Sequence, residues 1–120
     1  MEKVAVVGAS HNEERYSYKA MKMLEQYGHV PLPVAPARKE ILGRKVYGKL
    51  GDVDEKVDTV TMYVGPARQE GVIDEIVNLK PRRVIFNPGT ENPGEYKKLT
   101  DAGIEVLEAC TLVMLRTNQF

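Results

Sequence analysis

Five short apolar runs punctuate the chain: VAVV at 4–7, VPLPV at 30–34, TVTMYV at 59–64, RVIF at 83–86 and IEVL at 104–107. Each is rich in β-branched residues and bounded by Gly, Pro or polar residues, the marks of short strands. Most lack polar alternation, which suits strands covered on both faces, with TVTMYV the partial exception.

Helical patterns fill the intervals. Tyr16, Ala20, Met23, Leu24 and Tyr27 predict one apolar stripe, with Gly28 as the residue that ends the helix. Val72, Ile73, Ile76 and Val77 repeat at helical spacing. Pro66 suits the first turn of that helix, and Pro81 blocks continuation beyond. In ENPGE, Asn92 is the predicted N-cap, Pro93 the first helical residue and Glu95 the partner in a capping box. Tyr96 and Leu99 then face inward, and Gly103 closes the helix. After Cys110, TLVMLRTNQF reads equally as a short helix or an irregular end.

Between the second and third apolar runs, APARKEILGRKVYGKLGDVDEKV carries no convincing long helix, although KVY at 45–47 reads as a brief extra strand. Pro31 and Pro33 lack amide donors. In a parallel ladder alternate residues bond to the same neighbour, so both prolines weaken one side of their strand only. That side is predicted to face KVY, leaving the other side for VAVV.

Alternation of strand and helix, with right-handed crossovers, gives an α/β fold: a Rossmann-like, doubly wound, mostly parallel sheet of five or six strands with helices on both faces. At 120 residues the expectation is a single domain over 1–120. The 17 basic residues balance 17 acidic ones, which argues against a general nucleic-acid or acidic-membrane surface. No apolar run approaches a membrane span and no signal peptide is evident, so a cytoplasmic location is expected. With one cysteine there is no internal disulfide and no zinc spacing. Cys110 beside TLVML reads as a small core residue rather than a nucleophile, because no activating base is visible near it.

The chemistry concentrates in KVAVVGASHNEERYSYKAM. In a doubly wound sheet, ligands sit at the carboxyl ends of the strands near the topological switch. Gly8 permits close backbone approach, Ser10 and Ser17 offer hydroxyls, and Arg15 offers a fork for phosphate oxygens. The helix that follows offers free N–H groups and a partial positive charge. The plain dinucleotide fingerprint is absent: Gly8 is followed by Ser10 and Glu13 where two further glycines belong, and no carboxylate follows the second apolar run. Arg38 and Lys39 stand there instead, suited to a phosphorylated ribose. NADP and coenzyme A both meet that description. YVGP at 63–66 and FNPGTE at 86–91 end two further strands, so Val64, Pro66, Asn87 and Gly89 should line the same edge.

Taken in order, VAVVGAS with RYSYKAM, LPVAP with ILGRKVYGKL, VDTVTMYV, LKPRRVIFNPGTEN and IEVLEACTLVML resemble the small single-domain CoA-binding proteins. Their Rossmann-like domain is similar to the N-terminal CoA-binding domain of the succinyl-CoA ligase α subunit. The resemblance covers nearly the whole chain. It implies that Gly8, Ala9, Ser10, Arg15 and Ser17 hold phosphates. The stretch from Val34 through Pro36, Arg38 and Lys39 would take the adenosine end, and Val64 and Asn87 would flank the rest. Where relatives often read Asn-Pro-Lys, this chain reads Ala35-Pro36-Ala37, with the basic pair displaced to Arg38 and Lys39. The expected ligand is therefore coenzyme A or an acyl-CoA, and the expected role is carrier, sensor or accessory module without catalysis of its own. An NADP-linked oxidoreductase, or an interaction domain that kept the fold and lost the ligand, are the alternatives. No protein partner can be named from the sequence.

Overall fold

Strand β1 (Lys3–Val7) lies inside the sheet because neither of its faces is polar: Val4 and Val6 point to one side, Ala5 and Val7 to the other, and all are buried. The computed structural model describes residues 1–36 and 39–120. The remaining elements are α1 (Tyr16–Gln26), β2 (Val30–Val34), β3 (Glu40–Ile41), β4 (Arg44–Lys45), β5 (Thr59–Met62), α2 (Val72–Leu79), β6 (Arg83–Phe86), α3 (Tyr96–Asp101), β7 (Glu105–Glu108) and α4 (Thr111–Arg116). Three short 3-10 turns, at Leu50–Asp52, Pro66–Arg68 and Pro93–Glu95, complete them.

The main sheet runs β2-β1-β5-β6-β7, with every pair parallel. Helices α1 and α4 cover one face, where Val4, Val6, Met21, Leu24 and Leu115 form a buried layer. Helices α2 and α3 cover the other, over Val60, Met62, Ile73, Ile76, Phe86 and Leu99. Fully burying Met21 or Leu24 contributes roughly 1.5–3 kcal/mol each. The winding reverses between β1 and β5, which places the topological switch there. Among the described residues no helix is long and apolar enough to cross a membrane.

The prolines of β2 act as predicted. Val30, in register with Lys3 of β1, donates its N–H to the Glu2 carbonyl, so the even positions face β1. Pro31 and Pro33 turn their donor-less side outward. Past Pro33 the outer edge recovers a single bridge: Tyr47 N donates to the Pro33 carbonyl and Ala35 N to the Tyr47 carbonyl. The expected KVY strand is thus reduced to Tyr47. Lys45 instead belongs to a hairpin, where β3 and β4 pair antiparallel through Leu42 (φ 52°) and Gly43 (φ 74°). Two consecutive positive φ values are the geometry of a tight two-residue hairpin.

Three local expectations are corrected. The buried face of α1 is Ser17, Ala20, Met21 and Leu24, while Tyr16 and Tyr27 remain 68% and 47% exposed. Both stripes obey helical spacing, and packing chose the one that sets Met21 and Leu24 in one buried layer with Val4 and Val6. The capping box at Asn92 does not form: its Nδ2 donates to Gln69 Oε1 (3.1 Å) and Glu95 pairs with Lys98 (3.3 Å). Pro66 opens a separate 3-10 turn, and α2 begins only after Gly71 at φ 80°. TVTMYV alternates because Thr61 faces α4, where its Oγ1 meets Thr111 Oγ1 at 2.8 Å. A buried hydroxyl so paired is compatible with a dry interface.

Candidate functional site

Gly8 leaves β1 at φ 91°, and a Cβ there would lie 2.9 Å from Val64 Cγ1 and 3.2 Å from the Tyr63 carbonyl carbon. Only glycine lets the turn after β1 press this closely against the turn after β5. The contact sits on the switch point and forms the base of a cleft of about 560 Å³. That volume suits a small-molecule ligand.

One wall is the start of α1. Its N-cap residue, Arg15, makes no side-chain cap bond, and no acidic residue occupies the first turn. The first amides of the helix have no intrahelical carbonyl to reach. Ser17 is 4% exposed, lines the cleft and, among the described residues, has no hydrogen-bond partner for its hydroxyl. Upstream, Asn12 N donates to Ser10 Oγ (3.0 Å) and Glu14 N to Asn12 Oδ1 (3.0 Å), which shapes the turn that delivers Arg15. The N–H groups of Gly8 and Ala9 are already engaged: both donate to the Val34 carbonyl, at 3.0 and 3.2 Å. These two residues therefore shape the base of the cleft, and the unpaired donors belong to α1 and Ser17.

The opposite wall comes from the α2 side. Lys49 precedes the Leu50–Asp52 turn, and Arg68 ends the Pro66–Arg68 turn; both line the cleft. Glu75 of α2 accepts the Gly51 N–H (2.9 Å), which ties the first of these turns to the helix. Gln69, 1% exposed, fixes the second: its Nε2 donates to the carbonyls of Val64 (3.0 Å) and Thr90 (2.7 Å). Among the described residues, Arg15, Lys49 and Arg68 form no ion pair. Three cations thus surround the cleft without a protein carboxylate against them, an environment that attracts anions.

Tyr63 lines the cleft and packs against the α1 side of the core, and its hydroxyl is buried without a hydrogen-bond partner among the described residues. The neighbouring Thr61 and Thr111 oxygens bond to each other instead. Burial pushes this phenol up to about 12, so it is neutral at ordinary pH.

Of the sequence-derived site residues, Gly8, Ala9, Ser10, Arg15, Ser17, Val34, Pro36 and Val64 all line this one cleft. Asn87 does not reach it. Its side chain is buried beneath: Nδ2 donates to Thr61 Oγ1 (2.7 Å) and the Met62 carbonyl (2.9 Å), and Oδ1 accepts the Thr111 N–H (2.9 Å). It locks β5, β6 and α4 together. Lys39 is exposed on the hairpin side, where its carbonyl accepts the Val46 N–H, and it is not part of the cleft lining. Arg38 lies outside the described residues. Sequence reasoning missed Lys49 and Arg68. Lys49 stands inside the quoted KVYGKL, and Arg68 follows YVGP by two residues, so position after a strand was the available signal.

Over residues 2–116 the chain matches a protein family described as CoA binding domain. It is 28% identical over 105 residues to an uncharacterized Bacillus subtilis protein, YneT, covering 88% of this chain and 78% of that one. It is 30% identical over 95 residues to an ADP-forming acetate–CoA ligase of Methanocaldococcus jannaschii; the match spans 78% of this chain and only 14% of the ligase. A crystal structure of an uncharacterized protein superposes with a TM-score of 0.94 at 42% identity, over 100% of this chain and 98% of that one.

Proposed function

The chain belongs to the CoA binding domain family, and from that premise we propose that its cleft takes coenzyme A or an acyl-CoA at the carboxyl edge of the sheet. The observation that carries the reading is the uncapped start of α1. Its amides converge on one side of the cleft with the Ser17 hydroxyl and Arg15, neither of which has a side-chain partner among the described residues. A diphosphate satisfies all three at once, through hydrogen bonds to bare N–H groups, the helix dipole and a guanidinium fork. Val34 and Val64 supply apolar wall for the uncharged parts of the ligand.

We assign the role of carrier, sensor or accessory module, with the whole 1–120 span acting as one binding domain. Tyr63 is a neutral phenol pushed up to about 12, and Glu75 holds the Gly51 amide. The ligase relative carries this region as a small part of a much longer chain, and the proposal transfers to the present chain the binding step alone.

Calorimetric titration with CoA tests the reading. Binding should be saturable and should raise Tm as ligand linkage requires. Replacing Arg15 with alanine should weaken it by roughly 1–3 kcal/mol. No heat and no thermal shift at millimolar CoA would reject the site.

A further inference from the structure

The cleft holds more positive charge than a diphosphate needs. Arg15 and the α1 amides already serve one anionic group, yet Lys49 and Arg68 line the α2 side of the same cleft with no ion pair among the described residues. Their backbones are held in place. The turn after Lys49 is fastened to α2 through the 2.9 Å bond from Gly51 N to Glu75, and the turn that ends in Arg68 is anchored by buried Gln69. Glu75, which also lines the cleft, has its Oε2 turned to Gly51 and forms no ion pair with either cation among the described residues.

Resting on the coenzyme reading above, we propose that Lys49 and Arg68 form a second anion subsite that grips a phosphate carried on the ligand's ribose. The chain would thereby select a nucleotide with three phosphoryl groups over its two-phosphoryl counterpart. A compact ammonium and a planar guanidinium together suit a phosphate monoester, whose dianion presents three acceptor oxygens. Of the basic pair in the loop after β2, Lys39 stands outside the cleft lining, and Arg38 lies outside the described residues. A ribose phosphate occurs on CoA and on NADP, and the subsite chemistry is common to both.

The experiment is a titration of the intact chain with CoA, dephospho-CoA, NADP and NAD at one ionic strength. It is repeated for the Lys49→Gln/Arg68→Gln double variant and for Lys39→Ala. CoA should bind roughly ten- to a hundredfold more tightly than dephospho-CoA, as expected for charge-assisted bonds to a monoester. The double variant should bring that ratio close to one, lowering CoA affinity far more than dephospho-CoA affinity, and Lys39→Ala should preserve it. Both substituted side chains are exposed and, among the described residues, form no ion pair, so circular dichroism and Tm should match the parent. Equal CoA and dephospho-CoA affinities in the unmodified protein would overturn the subsite while leaving the coenzyme reading intact. So would a preference that survives in the double variant or disappears in Lys39→Ala. Discrimination of NADP from NAD with neither CoA form bound would support the subsite and overturn CoA as its source. Silence toward all four ligands would overturn both.

Discussion

The two ends of the same parallel sheet treat charge in opposite ways. At the amino end, Glu2 receives Arg82 (2.7 Å), Arg83 (3.3 Å) and the Thr59 hydroxyl (2.6 Å) on one carboxylate. Arg83 is 5% exposed and lies over the Phe120 ring, 4.5 Å from its centre. Lys3 donates its N–H to Asp58 (2.8 Å) and pairs through Nζ with Glu55 (2.9 Å). At the carboxyl end, Arg15, Lys49 and Arg68 have no ion pair among the described residues, and the Ser17 hydroxyl has no partner. The amino end uses charge to close the fold on itself. The carboxyl end leaves charge and hydrogen-bond donors unsatisfied around a cleft, which adds little to stability but is available to a ligand.

Matched substitutions at the two ends should separate stability from binding. The largest stability effect is expected for Arg83→Met, which leaves Glu2 and Thr59 short of a buried partner and should cost about 3 kcal/mol in urea unfolding. Arg15→Met, the same change at the other end, should lie within about 0.5 kcal/mol of the parent. If the two cost the same, the contrast fails.

Gly8→Ala comes next, since it joins the ends' requirements at one residue. A side chain at φ 91°, 2.9 Å from Val64 Cγ1, should destabilise by roughly 2 kcal/mol and also weaken CoA in calorimetry. Unchanged Tm would show that the two turns separate without cost.

Ser17→Ala is smaller and of opposite character. Removing a hydroxyl that has no hydrogen-bond partner among the described residues should leave Tm unchanged or slightly raised. CoA affinity should drop by about 1 kcal/mol. A loss of stability without a loss of affinity would make Ser17 part of the fold and not of the site.

The smallest expected effect is the pH response of the amino end. His29 Nδ1 accepts the Glu2 N–H at 3.0 Å, and burial, the largest influence, lowers its pKa below the ordinary 6.5. The unfolded chain therefore takes up a proton first as pH falls below 6.5. Stability should decline from there down to the lowered native value and then level off. Thermal melts between about pH 7.5 and about pH 5 should show a steeper decline for the parent than for His29→Gln. Parallel curves would remove His29 from the balance.

Much of this contrast was readable along the chain, and the division follows distance in sequence. The five strands were legible because two-sided burial leaves continuous apolar runs, and the placement of Pro31 and Pro33 followed from the alternation of ladder bonds. That Gly8, Arg15 and Ser17 share one cleft was legible because they lie within one strand–turn–helix unit. Less was legible wherever two local solutions were equally good. Either stripe of α1 makes a proper helix, and packing against β1 chose the one with Ser17 inside. Asn92 had a capping box within reach, but Gln69 from another turn took its amide. Asn87 looked like a cleft residue because its turn lies at the right edge, whereas its side chain is drawn under the sheet edge by Thr61 and Thr111.

By itself, then, the amino-acid order determined the five main strands, their parallel arrangement and the glycine turn after β1, since each depends on residues a few positions apart. Only the tertiary structure decided which distant loops meet over Gly8. The reversal of winding between β1 and β5 brings Lys49 and Arg68 to the same cleft as Arg15. No pattern of neighbouring residues encodes that meeting, because it is produced by crossovers that return separate stretches of chain to one edge.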